Sequence, residues 1–145
     1  MTTESALPKN DLFLDGANII VTRPKGQSNA LIEAIQRHGG HAFEVTALEI
    51  VETRHKKQAL EKLNRAKDFD YLLFTSPNAV KFAEKLGLDF SSIQGFIAIG
   101  SGTEAKLAPF IQGKEIITAP KPYTSEALIQ KCKEHGLKGR SILII

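Results

Sequence analysis

Four short segments pair hydroxyl or small residues with glycine or proline: Thr22-Arg23-Pro24, Thr75-Ser76-Pro77, Gly100-Ser101-Gly102-Thr103 and Pro122-Tyr123-Thr124-Ser125. Each follows a short apolar run and precedes a stretch whose apolar residues recur at helical spacing. Such a turn lies at the carboxyl end of a strand and the amino end of a helix. There the first helical N–H groups lack intrahelical partners and the helix dipole is positive. Amides in that position, with Ser and Thr hydroxyls beside them, hold carboxylates or phosphates without a cluster of Lys or Arg. Taken singly, each turn is better explained by capping, because Ser, Thr and Pro are ordinary first-turn residues. Several turns converging at one edge of a sheet make a polyanion site.

Other chemical signatures are missing from the sequence. Gly100-Ser101-Gly102 continues to Ala105 instead of a third glycine, and no acidic partner follows about 20 residues later, as a dinucleotide fingerprint requires. No Walker A string, Gly-x-Ser-x-Gly elbow or His-Glu-x-x-His pair occurs. His38 and His135 fall near helix C-termini, where the dipole favours a cation, and His41 and His55 stand in polar contexts, so none of the four reads as a metal ligand. Cys132 is the single cysteine and falls within a helical stretch, which makes it a partly buried, unreactive thiol. Asp68 and Asp70 precede a strand and read as capping or solvated groups.

Composition narrows the classes further. A chain of 145 residues with 42% apolar and 24% charged residues has enough core for one domain and part of another. A net charge of only +3 at this apolar content argues against disorder. No apolar run approaches the ~18–20 residues of a membrane-spanning helix. The segment from Met1 to Asp11 lacks the basic and apolar regions of a secretory signal, and a lone cysteine fits a cytoplasmic setting. Nineteen Lys and Arg against 16 Asp and Glu are spread along the chain, whereas nucleic-acid binders cluster their charge; a small anionic ligand suits this balance at least as well.

The elements that would position the turns follow from the apolar pattern. A disordered leader is expected over residues 1–16, then a strand over Ala17–Thr22. Ser28 would cap a helix carrying Leu31, Ile32 and Ile35, which Gly39-Gly40 ends. Strand-like alternation returns from Ala42 to Ile50. Residues 51–57 are polar and read as a linker before a helix carrying Leu60 and Leu63. From there strands are expected at Asp70–Thr75, Phe96–Gly100, Ile116–Ala119 and Ser141–Ile145, with helices between them. This alternation predicts an α/β fold with parallel sheets covered by helices on both faces.

Taken together, Ile20-Val21-Thr22-Arg23-Pro24 with Gln27 and Leu31, Phe74-Thr75-Ser76-Pro77-Asn78-Ala79-Val80, Ala98-Ile99-Gly100-Ser101-Gly102-Thr103 and Tyr123-Thr124-Ser125-Glu126-Ala127-Leu128 resemble uroporphyrinogen-III synthase. The resemblance spans nearly everything from Ala17 to Ile145. It implies two α/β domains joined by a two-stranded connection, with the active site in the cleft between them. Residues 17–50 would then be the N-terminal part of the first domain and residues 58–145 most of the second. The implied reaction cyclises hydroxymethylbilane, a linear tetrapyrrole, to uroporphyrinogen III, with loss of water and inversion of the last pyrrole ring. It uses no metal and no organic cofactor.

The same resemblance implies the roles of individual residues. Thr103 would line the cleft and either donate to a substrate carboxylate or assist the departing water. Thr75, Ser76 and Asn78 would form one anchoring turn, Gly100 and Ser101 a second, and Tyr123, Thr124 and Ser125 a third. Thr22 and Arg23 would contact substrate from the first domain. No nucleic-acid or membrane partner is implied, and relatives act as monomers. Because relatives are longer, the architecture is expected to be incomplete over this span, with catalysis impaired in this chain alone and association through an open sheet edge. The rival expectation is a non-catalytic α/β module that binds anions or tetrapyrroles. A signalling domain of similar alternation would need an acidic cluster after the first strand, where Thr22-Arg23-Pro24 stands instead.

Overall fold

The computed structural model describes residues 13–145, which form two compact units, one ending at Val51 and the other spanning Glu52–Ile145. The expected leader falls mostly on residues 1–12, outside the described residues. Residues 13–16 depart from that expectation, because they form a turn tied to the end of the following helix. The Leu14 amide donates to His38 O at 3.1 Å and the Gly16 amide to Gly39 O at 2.8 Å. Leu14 also packs at Gly40, where a Cβ would come within 2.9 Å of both Leu14 and Ile35. An apolar contact and two backbone bonds offset the entropy of ordering this short segment.

The first unit is one strand-helix-strand turn. Strand β1, Asn18–Val21, pairs in parallel with β2, His41–Glu44, in the register Asn18↔His41 to Val21↔Glu44, and helix α1, Asn29–Arg37, connects them. Helix α1 ends in a glycine-dependent cap. Gly39 adopts φ +80°, its amide donates to Gln36 O, and the Gly40 amide donates to Ile35 O. Ser28 occupies the N-cap position as expected, yet its side chain makes no capping bond; the hydroxyl is buried without a partner. Strand β2 is shorter than the alternation through Ile50 predicts. Its last rung is the Val45 amide on Val21 O, because β1 stops at Arg23-Pro24 and leaves nothing for residues 46–50 to pair with.

The second unit is a four-stranded parallel sheet in the order β5-β4-β3-β6. The strands are β3, Tyr71–Phe74; β4, Gly95–Ala98; β5, Ile116–Thr118; and β6, Ile142–Ile144. Helix α2, Lys56–Asn64, precedes them and takes up the last two residues of the stretch read as a linker. Helices α3, Pro77–Lys85, and α4, Ser101–Leu107, lie on one face, where Val80, Ala83 and Leu107 join Leu72, Phe74, Phe96 and Ala98 in one core. Phe90 stacks in that core against Phe74, Phe96 and Phe110, with ring centroids 6.1, 6.3 and 4.8 Å apart. Helix α5, Ser125–Glu134, covers the opposite face through Leu128, which packs with Ile97, Ile117 and Leu137. Helices on both faces of parallel strands are what near-continuous apolar runs such as Tyr71-Leu72-Leu73-Phe74 require.

The chain runs β3 to β4 to β5 outward in one direction, then returns over the other face to place β6 beside β3. The order therefore reverses between β3 and β6, and open α/β sheets bind their ligands outside the carboxyl ends of strands at such a reversal.

Candidate functional site

All strands of the second unit are parallel, so the turns leaving β3, β4 and β5 emerge at one edge of the sheet. Two close approaches join them. A Cβ placed on Gly102 would lie 3.9 Å from Pro77 Cγ, so the β4–α4 and β3–α3 turns are about one methyl group apart there. A Cβ on Gly100 would lie 3.1 Å from Cγ of Tyr123, so the β5–α5 turn packs directly on the β4–α4 turn. Thr75, Ser76, Asn78, Gly100, Ser101, Tyr123, Thr124 and Ser125 thus belong to one continuous rim. Pro77 and Gly102, which the sequence places in these turns without a binding role of their own, join the rim as well.

Several hydroxyls on this rim are already engaged. Ser76 caps α3, its Oγ accepting from the Ala79 amide at 3.1 Å. Thr124 caps α5 in the same way, Oγ1 accepting from the Ala127 amide at 3.2 Å. The Thr75 hydroxyl donates to Ile145 O at 3.0 Å, across the reversal between β3 and β6. Both caps keep a hydroxyl proton to donate outward, while Thr75 keeps only acceptor capacity. Ser101, Gly102 and Ser125 are exposed at the starts of their helices, and Asn78 is half-buried in the first turn of α3. The Gly100 carbonyl accepts from the Thr103 and Glu104 amides, each at 3.0 Å, which closes the first turn of α4. Thr103 itself is only 2% exposed, so its hydroxyl lies beneath the rim surface rather than on it.

Thr22 and Arg23 lie in the first unit, both exposed at the end of β1. The Arg23 guanidinium reaches Gln27 O at 3.5 Å across the turn and remains at the surface.

The groups with displaced pKa values lie elsewhere. Asp70, at the opposite end of β3, is held below the usual carboxylate range by Ser141, whose amide and hydroxyl donate to it, and secondarily by Arg140. Asp89 is lowered by Ser91, and Glu52 by Lys85 on α3. Burial raises the Cys132 thiol, which matches an unreactive cysteine. Among the described residues, no group of three or more His, Cys, Asp or Glu side chains comes together as a metal site would need, and no helix is long and apolar enough to cross a membrane. A groove of about 620 Å³ opens between α5 and β6, lined by Leu73, Ile97, Leu128, Leu137 and Ile142 with Lys133 and Lys138. It contains none of the rim residues. The rim, with its helix starts and exposed hydroxyls, is thus the arrangement suited to anions, and the groove is an apolar surface.

The comparisons bear on this geometry. The sequence model of the family described as uroporphyrinogen-III synthase HemD matches residues 29–145. A protein of Methanothermobacter thermautotrophicus named "Putative uroporphyrinogen-III synthase" is 28% identical over 127 residues, covering 86% of this chain and 49% of the archaeal protein. The porphyrin biosynthesis protein HemD of Ruminiclostridium josui is 28% identical over 85 residues, covering 56% of this chain and 16% of that protein. The chain therefore spans about half the length of the first of these relatives and a smaller part of the second. A family match that includes every turn of the rim, in a parallel α/β unit, places this chain in the uroporphyrinogen-III synthase family.

Proposed function

We propose that this chain furnishes the substrate-anchoring turns of a uroporphyrinogen-III synthase, which cyclises hydroxymethylbilane to uroporphyrinogen III. The observation that carries the proposal is the close approach of Pro77 to the Gly102 position and of Tyr123 to Gly100, which brings three helix starts together at one edge of the sheet. The substrate is a linear tetrapyrrole bearing many acetate and propionate groups, so a row of amides and hydroxyls engages it at several points without buried Lys or Arg.

The substrate supplies most of the chemistry. A proton reaches the terminal hydroxyl, the C–O bond breaks, and water leaves as the pyrrole nitrogen lone pair forms an azafulvene cation. The substituted carbon of the last pyrrole attacks that cation to give a spiro intermediate. Bond migration with inversion of this ring, followed by loss of a proton, restores the aromatic pyrrole. Holding the two ends together is the protein's contribution, because unguided closure yields the uninverted isomer. Ser76 and Thr124 donate outward from their caps, and the exposed first-turn residues Ser101 and Ser125 add amide and hydroxyl donors. Asn78 completes the first anchoring turn. Thr22 and Arg23, exposed at the end of β1, offer the same donor chemistry on the first unit, Arg23 as a carboxylate partner. Thr103, buried beneath the Gly100 turn with its amide donating to Gly100 O, is the residue that the family resemblance assigns to the departing water. A cytoplasmic enzyme fits the single inert thiol.

The test is turnover of hydroxymethylbilane, with the two product isomers separated after oxidation. The proposal predicts the III isomer above the spontaneous background, at a rate impaired in this chain alone, and a rate slower still in Thr103→Ala and Ser76→Ala. Equal rates in both variants would remove those residues from the site, and product containing only the uninverted isomer would overturn the assignment of activity.

A further inference from the structure

Tyr123 is an outlier of the rim in two respects. Its backbone stands at φ +60°, the left-handed region that a bulky aromatic residue rarely occupies. Its ring lies against Gly100, where a Cβ would come 3.1 Å from Cγ and 3.3 Å from Cδ1. The side chain packs against the core cluster that includes Ile97, Ile117 and Leu128, and the residue stays partly exposed. Strain of this kind persists only where the surroundings enforce it, and it concentrates at ligand sites. Of the remaining rim residues, Thr75, Ser76, Asn78, Gly100, Ser101, Gly102, Thr124 and Ser125 are small or polar, and Pro77 is aliphatic. They offer donors to carboxylates and no aromatic surface.

We infer that Tyr123 is the stacking contact of this rim, its fixed ring receiving one pyrrole of the ligand while the neighbouring helix starts hold that pyrrole's carboxylates. The inference rests on the polycarboxylate reading above and adds a ring-recognising element to it. The ring acts here and the hydroxyl does not, because the Gly100 contact fixes the ring plane. Selectivity follows: a polycarboxylate without rings meets only the amides, whereas a tetrapyrrole meets the amides and the ring.

The test measures binding of uroporphyrin III, the oxidised macrocycle, and of butanetetracarboxylate, a ring-free polyanion, to the intact chain and to Tyr123→Phe and Tyr123→Leu. Leucine dislikes the left-handed region as tyrosine does, so the two variants share the backbone constraint. Thermal unfolding of each variant checks that it is folded. The expected result is porphyrin affinity within about twofold of the parent for Tyr123→Phe and at least about fivefold weaker for Tyr123→Leu, the scale of one aromatic contact. Butanetetracarboxylate affinity is expected to be unchanged in both. Equal porphyrin affinity in Tyr123→Leu, or the same loss in Tyr123→Phe as in Tyr123→Leu, would overturn the stacking role and leave the anion site standing. Failure of the parent chain to bind either ligand would overturn the polycarboxylate reading itself.

Discussion

Asp70 and Ser141 hydrogen-bond in both directions across 71 residues of chain. The Ser141 amide and hydroxyl each donate to Asp70 Oδ2 at 2.8 Å, and the Asp70 amide donates to Ser141 Oγ at 3.1 Å. Arg140 adds a bond to Oδ1 at 3.2 Å. This clip stands where β3 and β6 begin, and it sets the register in which Tyr71 faces Ile142. It also explains why a short strand holds at the sheet edge, since three rungs alone order little backbone.

The clip gives stability a pH dependence with a defined sign. The folded-state pKa of Asp70 is depressed, chiefly by Ser141 and then by Arg140. Its contribution is therefore present above the unfolded-state value, about 3.9, and is lost as pH falls through the lower folded value. Asp70→Asn is expected to be less stable than the parent at pH 7 and to show a shallower loss of stability below about pH 4. Denaturant unfolding at a series of pH values checks this, and parallel curves for the two proteins would refute it.

Lys114 secures the turn that carries the stacked Phe90. Its ammonium donates to Ser91 O at 2.8 Å and Ile93 O at 2.6 Å. Lys114→Met keeps most of the stem and removes both bonds, and we expect a loss of about 1–3 kcal/mol. A lower urea midpoint with unchanged slope is the signature.

Two glycines separate packing from binding. A Cβ on Gly95 would strike the Tyr71 ring beside it in the sheet, whereas a Cβ on Gly100 meets Tyr123 at the rim. Gly95→Ala is expected to cost about 1–3 kcal/mol by overpacking. Gly100→Ala moves a partly exposed ring, so its thermal midpoint falls less while uroporphyrin III affinity falls more. The reverse order in the two assays would contradict the placement of Tyr123 in the site.

Serines at helix starts are not equivalent. Ser76→Ala removes a real cap and should cost about 1 kcal/mol. Ser28→Ala removes a buried hydroxyl with no partner and should leave stability unchanged or raise it, because an unsatisfied polar group no longer has to be desolvated. Equal losses in thermal unfolding would show that Ser28 caps α1 after all.

These cases show what the sequence made legible. Strand positions were readable because runs such as Phe96-Ile97-Ala98 are apolar throughout, and that is the mark of a strand covered on both faces. The strand expected through Ile50 was not formed, since alternation describes a surface and says nothing about whether a partner strand reaches that far. Ser28 and Ser76 look alike as letters, and only backbone geometry separates the extended Ser76, with φ −162° and ψ 161°, from the helical Ser28, with φ −97° and ψ −22°. The rim motifs were visible as strings. Their close approaches, Pro77 to Gly102 and Tyr123 to Gly100, depend on strand order, which local sequence does not encode. The burial of Thr103 was hidden for a related reason, because the side of α4 that faces the sheet follows from where β4 and β5 lie.

The central claim is that the turns after β3, β4 and β5 act as one polycarboxylate site. The most direct measurement is an amide chemical-shift titration of the chain with uroporphyrin III. The account predicts that the amides of Asn78, Ser101, Gly102 and Ser125 shift together along a single binding curve, with Leu137 and Ile142 unmoved. Shifts centred on Leu128, Leu137 and Ile142, with the rim amides silent, would place the ligand in the apolar groove and contradict the account.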